Sequence, residues 1–176
     1  MKVLVTGGVR SGKSAHAEGL LADDDPVVYV APGPTTEEDP DPDWAARLAA
    51  HQLRRPTTWT TVETRDLAAT VAGASAPVLV DCLGTWLTAV LDAEQAWDRP
   101  SGVQHDVVGE RVDALVGAVA GTPYDVVLVT NEVGLGVVPA HRSGRVFRDL
   151  LGTTNQRVAS ICDEVHLVVA GRVLRL

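Results

Sequence analysis

Short apolar runs, separated by polar and turn-forming residues, dominate the hydrophobic pattern of this chain. Five of these runs are apolar almost throughout instead of alternating, which is typical of strands buried on both faces of a parallel sheet. The predicted strands are 3–6, 27–31, 78–81, 126–130 and 165–169. A sixth segment, 172–176, follows the Ala170-Gly171 pair and predicts a C-terminal β-hairpin with a two-residue turn.

Apolar residues at helical spacing fill the intervals between the strands. They predict helices at 14–21, 43–54, 65–72, 84–94, 107–119, 142–151 and 155–162. Alternating strands and helices indicate an α/β fold with a mostly parallel sheet flanked by helices. The chain has 176 residues, of which 45% are hydrophobic, so we expect residues 1–176 to form a single domain.

Two segments do not fit this alternation. Segment 32–42 is rich in proline and acidic residues, and we expect a mobile loop there. It follows the second strand, and loops at the carboxyl ends of strands carry the ligand site in such sheets, so it is placed to cover a nucleotide. Segment 97–104 is expected to be a second exposed connection.

Residues 7–14 read G-G-V-R-S-G-K-S, which is a complete G-x-x-x-x-G-K-S phosphate loop. A predicted strand precedes it and a predicted helix follows it, as the motif requires. Its backbone N–H groups can surround phosphates, Lys13 can reach the outer phosphates, and the Ser14 hydroxyl can hold Mg²⁺. The sequence therefore predicts a nucleoside triphosphate site.

Charge and cysteine content narrow the classes of partner. The net charge of −8 argues against a nucleic-acid partner, because neutralising phosphates requires clustered Lys and Arg. No apolar run approaches the length of a membrane span, and we expect a cytoplasmic protein without a leader segment. Cys82 and Cys162 lack the spacing of a metal site and are expected to be ordinary buried thiols.

Two polar positions are candidates for chemistry. Asp81 ends a predicted strand and could complete the Mg²⁺ site, or could cap the next helix. On the predicted helix 43–54, His51 lies one turn from Arg47 and from Arg55, with Arg54 beside them. Neighbouring guanidinium groups disfavour imidazolium, so this pattern favours a neutral, nucleophilic imidazole beside phosphate-binding arginines.

The same helix has an alternative interpretation, in which Trp44, Leu48 and His51 form a core-facing stripe and the arginines are solvated. Segment 130–139 could be a substrate-binding loop or a plain surface loop. The next helix bears three arginines that could be solvated or form a second phosphate site: Arg142, Arg145 and Arg148. The other histidines have no partner at ligand spacing, and we expect them to be structural or exposed: His16, His105, His141 and His166.

Six sequence blocks, occurring in the same order and at matching spacing, resemble the bifunctional adenosylcobinamide kinase/adenosylcobinamide-phosphate guanylyltransferase family of cobalamin biosynthesis. The blocks are V-T-G-G-V-R-S-G-K-S at 5–14, A-A-R-L with His51 and R-P at 45–56, segment 57–63, V-D-C-L at 80–83, segment 130–139, and F-R-D at 147–149 with Gly152 and Asn155-Gln156. Together they span the chain almost from end to end.

This resemblance implies a RecA-like phosphate-loop fold, a homotrimer and two reactions. Adenosylcobinamide is phosphorylated by ATP or GTP; GTP then guanylylates an enzyme histidine, and GMP passes to adenosylcobinamide phosphate. His51 falls on the position of the guanylylated histidine. The positions implied to contact GTP are Gly7, Gly8, Val9, Arg10, Ser11, Gly12, Lys13, Ser14, Ala31, Pro32, Gly33, Gln52, Leu53, Arg54, Arg55, Glu63 and Asp81.

Two alternatives remain open. The chain could keep only the guanylyltransferase activity, since the resemblance alone indicates the kinase step. It could also be a nucleotide-gated binding protein without a covalent intermediate, although such a switch does not require His51 with Arg54 and Arg55.

Overall fold

The computed structural model describes residues 1–21 and 26–176, without the side chain of Arg47. The described strands form one seven-stranded sheet. The strands are β1 (Lys2–Gly7), β2 (Val28–Ala31), β3 (Thr60–Glu63), β4 (Val78–Asp81), β5 (Val126–Val129), β6 (Glu164–Val169) and β7 (Arg172–Arg175). The helices are α1 (Lys13–Glu18), α2 (Pro42–Arg54), α3 (Leu67–Ala72), α4 (Leu83–Ala93), α5 (Ser101–Gly121) and α6 (Arg142–Ala159).

The strand order is β3-β2-β4-β5-β1-β6-β7. All neighbouring strands pair in parallel except β6 and β7, which are antiparallel. In the centre of the sheet, Val3 of β1 lies opposite Val127 of β5 and Glu164 of β6. The carboxyl ends of β1, β2, β4 and β5 therefore meet at one edge of the sheet.

Alternate residues of the central strands feed two apolar cores. Leu4, Val80 and Leu128 are among those facing α3, α4, α5 and α6, whereas Val3 and Val129 face α1 on the opposite side. All five are at most 2% exposed. Each such side chain stabilises the fold by roughly 1.5–3 kcal/mol on burial, so the core holds this edge of the sheet in place.

The fold class expected from the sequence is confirmed, as are all five apolar strands. The C-terminal hairpin is also present. Its turn residues Ala170 and Gly171 have φ values of 49° and 74°, the left-handed conformations that a tight two-residue hairpin turn requires.

Three expectations were wrong: a missed strand, the segment 97–104, and the helices predicted between 142 and 162. Strand β3 was missed because its side chains T-T-V-E are largely exposed at the sheet edge and lack an apolar run. Segment 97–104 is not simply an exposed connection, because α5 begins at Ser101 and Gln104 is 3% exposed. The amide of Gln104 donates to the carbonyls of Ala96 and Trp97.

The two helices predicted between 142 and 162 are one helix, α6. Thr153 and Thr154 did not break it, because their hydroxyls donate to the carbonyls of Asp149 and Leu150 one turn earlier. Across the described part of the chain, no helix is both long and apolar enough to cross a membrane.

Candidate active site

The phosphate loop joins β1 to α1 and is shaped by glycines at two positions. A Cβ atom on Gly7 would lie 2.4 Å from the Val168 carbonyl oxygen, which is closer than atoms can pack. Gly12 has φ 96°, a left-handed conformation that favours glycine. Lys13 is only 5% exposed, with Nζ 3.3 Å from the Gly8 carbonyl oxygen. The loop thus has the backbone form that its sequence predicts.

The C-terminal hairpin supports this loop from behind. The Gly171 N–H donates to the Ser11 carbonyl oxygen at 2.8 Å, and a Cβ atom on Gly12 would lie 3.5 Å from Gly171 Cα. No local sequence spacing could reveal this contact, because about 160 residues separate its two sides. The contact arises from the parallel pairing of β1 with β6.

Helix α2 carries His51 towards the sheet edge. The Asp41 side chain caps the helix by accepting a hydrogen bond from Asp43 N at 2.9 Å, and Trp44 Nε1 donates to the Pro34 carbonyl oxygen at 2.9 Å. Trp44, Leu48 and His51 all line one cavity. The stripe seen in the sequence is therefore real, but it faces a cavity and not the core.

That cavity has a volume of about 300 Å³ and lies beside a cleft of about 780 Å³ along the phosphate loop. Lys13 and Ser14 line the cleft, whereas Tyr29 and Asp81 line the cavity. His51 lines both. A ligand bound in the cavity and a ligand bound in the cleft would therefore both lie beside the His51 imidazole.

Asp81, at the end of β4, lies against His51. Its Oδ2 is 3.6 Å from His51 Nδ1 and also accepts a hydrogen bond from the Tyr29 hydroxyl at 3.2 Å. Burial, and next the Asp81 charge, raise the pKa of Tyr29, so the phenol keeps its proton and donates. Because Nδ1 faces a carboxylate, the geometry favours the tautomer with the proton on Nδ1 and the lone pair on Nε2.

Two of the arginines near His51 in the sequence, Arg54 and Arg55, have partners of their own. Arg54 makes a bidentate ion pair with Glu18 of α1, with distances of 3.0 and 3.1 Å, although its side chain also lines the phosphate-loop cleft. The Arg55 guanidinium lies 3.4 Å above the Tyr29 ring and donates to Thr61 Oγ1 at 2.7 Å. The Arg47 side chain lies outside the described atoms.

The remaining predicted contact positions divide into two groups. Ala31, Gly33 and Glu63 line the 300 Å³ cavity, as does Val9 of the phosphate loop. Pro32 is buried beside them, whereas Gln52 and Leu53 are exposed and line neither that cavity nor the cleft. From the acidic loop 32–42, Asp39 and Asp41 line the cleft along the phosphate loop. That the loop covers a nucleotide, and that it is mobile, stay predictions.

Three arginines of α6 donate hydrogen bonds to backbone carbonyls. Arg148 donates to the carbonyls of Gly134 and Gly136, and Arg145 donates to those of Pro139 and Ala140. Arg142 likewise donates to the carbonyls of Trp97 and Arg99 and pairs with Asp98. Arg142 and Arg145 are nevertheless exposed, in accord with the solvated interpretation, and the second phosphate site stays a prediction.

Two histidines far apart in sequence are hydrogen-bonded behind the phosphate loop. His16 Nε2 lies 2.8 Å from His166 Nδ1, and His166 Nε2 lies 2.7 Å from Glu164 Oε2. Both are therefore structural, as expected, whereas His105 and His141 are exposed.

Both cysteines are free thiols. Burial raises the pKa of Cys82, with a further contribution from the charge of Asp81, and burial raises that of Cys162 to about 11. Both thiols therefore stay protonated at neutral pH, which leaves His51 as the better nucleophile of this site.

Comparisons with known proteins show which family the chain belongs to. The family model described as "Cobinamide kinase / cobinamide phosphate guanyltransferase" matches residues 3–176. The bifunctional adenosylcobalamin biosynthesis protein CobU of Salmonella typhimurium is 42% identical, with 97% of each chain covered. Its Escherichia coli counterpart and the protein CobP of Pseudomonas aeruginosa are each 40% identical; the alignments cover 97% of this chain and 97% and 94% of those proteins.

A type III secretion ATPase of pathogenic bacteria has a similar fold, with a TM-score of 0.51 at 15% identity. The match covers 94% of this chain and 50% of the ATPase chain, and it supports the phosphate-loop fold alone. The family match, in contrast, extends over almost the whole sequence and includes the phosphate loop, His51 and Asp81. The chain belongs to the cobinamide kinase / cobinamide phosphate guanyltransferase family.

Proposed function

We propose that this protein phosphorylates adenosylcobinamide and then transfers GMP to adenosylcobinamide phosphate through a guanylyl intermediate on His51. The two activities are those that its family is named for. The intermediate rests on one observation: His51 lies where the phosphate-loop cleft meets the cavity that contains Asp81. A single imidazole can therefore take a group from a nucleotide on one side and pass it to an acceptor.

The first step would be an in-line attack of His51 Nε2 on the α-phosphorus of GTP. A nitrogen–phosphorus bond forms, the bond to the bridging oxygen breaks, and pyrophosphate leaves with the electron pair. Nδ1 keeps its proton facing Asp81, whose charge offsets the positive charge that develops on the ring. In the second step, a phosphate oxygen of the corrinoid attacks the same phosphorus and releases the imidazole.

Mg²⁺ belongs to this proposal as a partner of the nucleotide. Among the described residues, no group of three or more His, Cys, Asp or Glu side chains is placed to hold a metal. Ser14 and Asp81 fit the coordination preference of Mg²⁺, which uses one or two protein ligands together with phosphate oxygens and water. Ser14 and Asp81 would hold it, since the described contacts of Asp81 both use Oδ2. Bound there, Mg²⁺ would neutralise phosphate charge.

The kinase reaction would use the same phosphate loop. Lys13 and Ser14 of the phosphate loop line the cleft, so ATP or GTP would bind there as the phosphoryl donor. The aminopropanol hydroxyl of adenosylcobinamide would attack the γ-phosphorus, and the nucleoside diphosphate would leave.

A homotrimer in the cytoplasm completes the proposal. Its support is the resemblance, together with the edge strand β7, where Val173 and Leu174 are 41% and 57% exposed and could pack against another copy. Sedimentation equilibrium would test it: a mass of three chains is expected, and a monomer at micromolar concentration would contradict it.

Two assays on the purified protein test the activities. With Mg²⁺, γ-labelled ATP or GTP should transfer label to adenosylcobinamide, and α-labelled GTP should transfer label to adenosylcobinamide phosphate. A protein that performs only the second transfer would be a guanylyltransferase alone. A protein that binds GTP without either transfer would be a nucleotide-gated binding protein, and the proposal would be wrong.

A further inference from the structure

Three exposed apolar side chains follow shortly along the chain after a residue that lines the His51 cavity. Leu135, Val137 and Val138 are 87%, 95% and 65% exposed. They belong to segment 134–139, which follows directly after Val133, a residue that lines the cavity. Clustered exposed apolar side chains on a protein surface commonly mark a binding site. We call segment 134–139 the apolar loop.

The apolar loop is held rigidly from below. Arg148 donates to the carbonyls of Gly134 and Gly136 at 2.7 and 3.0 Å, and Arg145 donates to those of Pro139 and Ala140 at 3.0 and 2.6 Å. A fifth hydrogen bond runs from Gly134 N to Glu132 Oε1 at 2.6 Å. The backbone is therefore fixed against α6, while the apolar side chains remain outside.

The size of the family's substrate makes such a surface necessary. A cavity of about 300 Å³ is at the lower limit of sites for drug-sized molecules, and a corrin macrocycle with its amide arms is far larger. The aminopropanol arm is the part of the substrate that would enter this cavity to reach His51. The macrocycle would then stay outside, on the rim of the cavity.

The chemistry of the apolar loop matches the face of that macrocycle. The sequence 133–140 reads V-G-L-G-V-V-P-A and contains no charged side chain. The two arginines next to it, Arg145 and Arg148, direct hydrogen bonds to its carbonyl oxygens. An uncharged surface suits the apolar face of a corrin ring, and the neutral amides around the ring need no charged partner.

We propose that the apolar loop is the docking surface for the corrin ring, with Leu135 and Val137 as the residues that determine affinity for the corrinoid. This inference rests on the proposed function. The ring would lie on the loop while its phosphorylated arm extends past Asn131 and Val133 towards His51.

The test uses Leu135→Ser, Val137→Ser and the double variant, with Leu176→Ser as a matched control. Leu176 is 72% exposed, and its N–H pairs with Val165 near the start of β6, at the opposite edge of the sheet. Equilibrium dialysis with adenosylcobinamide phosphate measures affinity directly. Loss of an apolar contact should weaken binding by about tenfold or more in each loop variant. Leu135→Met should keep wild-type affinity, and Leu176→Ser should not change it.

Two further measurements separate docking from other roles. Labelling of the enzyme by α-labelled GTP needs no corrinoid, so the loop variants should be labelled at the wild-type rate. GMP transfer to 1-aminopropan-2-ol phosphate, which is the arm without the ring, should be equally slow in wild type and variants. A variant that loses transfer to this small acceptor as strongly as transfer to the corrinoid would overturn the proposal.

Other outcomes also contradict docking. Unchanged corrinoid affinity in the double variant would remove the loop from the binding site. Dissociation of an oligomer in the loop variants, with affinity intact, would show that a second copy of the chain covers the loop. A wild-type protein that binds the corrinoid through the loop but takes no label from GTP would refute the guanylyl intermediate and leave the docking surface in place.

Discussion

Removing the charge of Asp81 should slow both reactions through the loss of a Mg²⁺ ligand, and should slow guanylylation of His51 by a further factor. The change is Asp81→Asn, which keeps the size of the side chain and an oxygen that can accept from the Tyr29 hydroxyl. In wild type, Asp81 Oδ2 lies 3.6 Å from His51 Nδ1. When Nε2 bonds to phosphorus, the ring becomes positive, and the carboxylate stabilises that charge.

The expected size of the effect follows from this distance. Two unit charges 3.6 Å apart attract by about 5 kcal/mol at an effective dielectric constant of about 20. This is an upper value, because the His51 side chain is 19% exposed and water screens part of the field. If roughly half of this attraction is lost in Asp81→Asn, the transition state is destabilised by about 2–3 kcal/mol, which slows label uptake about 10²-fold.

The assay follows label from α-labelled GTP into the protein at saturating GTP and Mg²⁺. Tyr29→Phe, which keeps the ring beneath Arg55, should have a much smaller effect because the Asp81 charge remains. Asp39→Asn removes a carboxylate that lines the cleft and serves as the control for a general change in charge. If Asp81→Asn slows both reactions by the same factor at saturating Mg²⁺, Asp81 acts only through the metal and the charge-pair argument is refuted.

Three more expectations concern the phosphate loop, the α1–α2 ion pair and the histidine pair. Lys13→Ala should slow both reactions by about 10²-fold, because one loop serves both; in the two radiolabel assays, loss of the kinase alone would reveal a second nucleotide site. Glu18→Gln and Arg54→Gln should each slow guanylylation by several-fold, because either change breaks the ion pair that positions α2. If only Arg54→Gln has an effect, Arg54 acts on phosphate and not by positioning α2. Burial, followed by the charges of His166 and Arg175, lowers the pKa of His16, so the unfolded chain takes up a proton more readily. The free energy of unfolding, measured with urea, should therefore fall as the pH falls below about 6.5, and this slope should be smaller in His16→Gln; an equal slope would contradict it.

The sequence indicated the parts of the fold and site that depend on local pattern. Buried central strands such as β4 and β5 are continuous apolar runs, and the phosphate loop is a contiguous motif, so both were predicted. Strand β3 was missed because an exposed edge strand needs no apolar residues. Its position follows from pairing with β2, which local pattern does not encode.

The partners of the charged residues could not be predicted, for a related reason. Helix spacing showed which side chains share a face of α2, but not that Arg54 would meet Glu18, 36 residues earlier. Likewise, His16 and His166 meet only because β6 pairs with β1, 150 residues away in sequence. Such contacts are set by strand order, so the chemical environment of the site required the structure.

The covalent intermediate on His51 is the central claim, and mass mapping of the labelled protein tests it most directly. The protein is incubated with α-labelled GTP and Mg²⁺, digested, and searched for a peptide that carries GMP. The account predicts GMP on His51, in a bond that is stable to alkali and labile to acid, as phosphoramidates are. His105→Ala, which changes an exposed histidine of α5, should be labelled like wild type. Equal labelling of His51→Ala, or GMP on any other residue, would contradict the account.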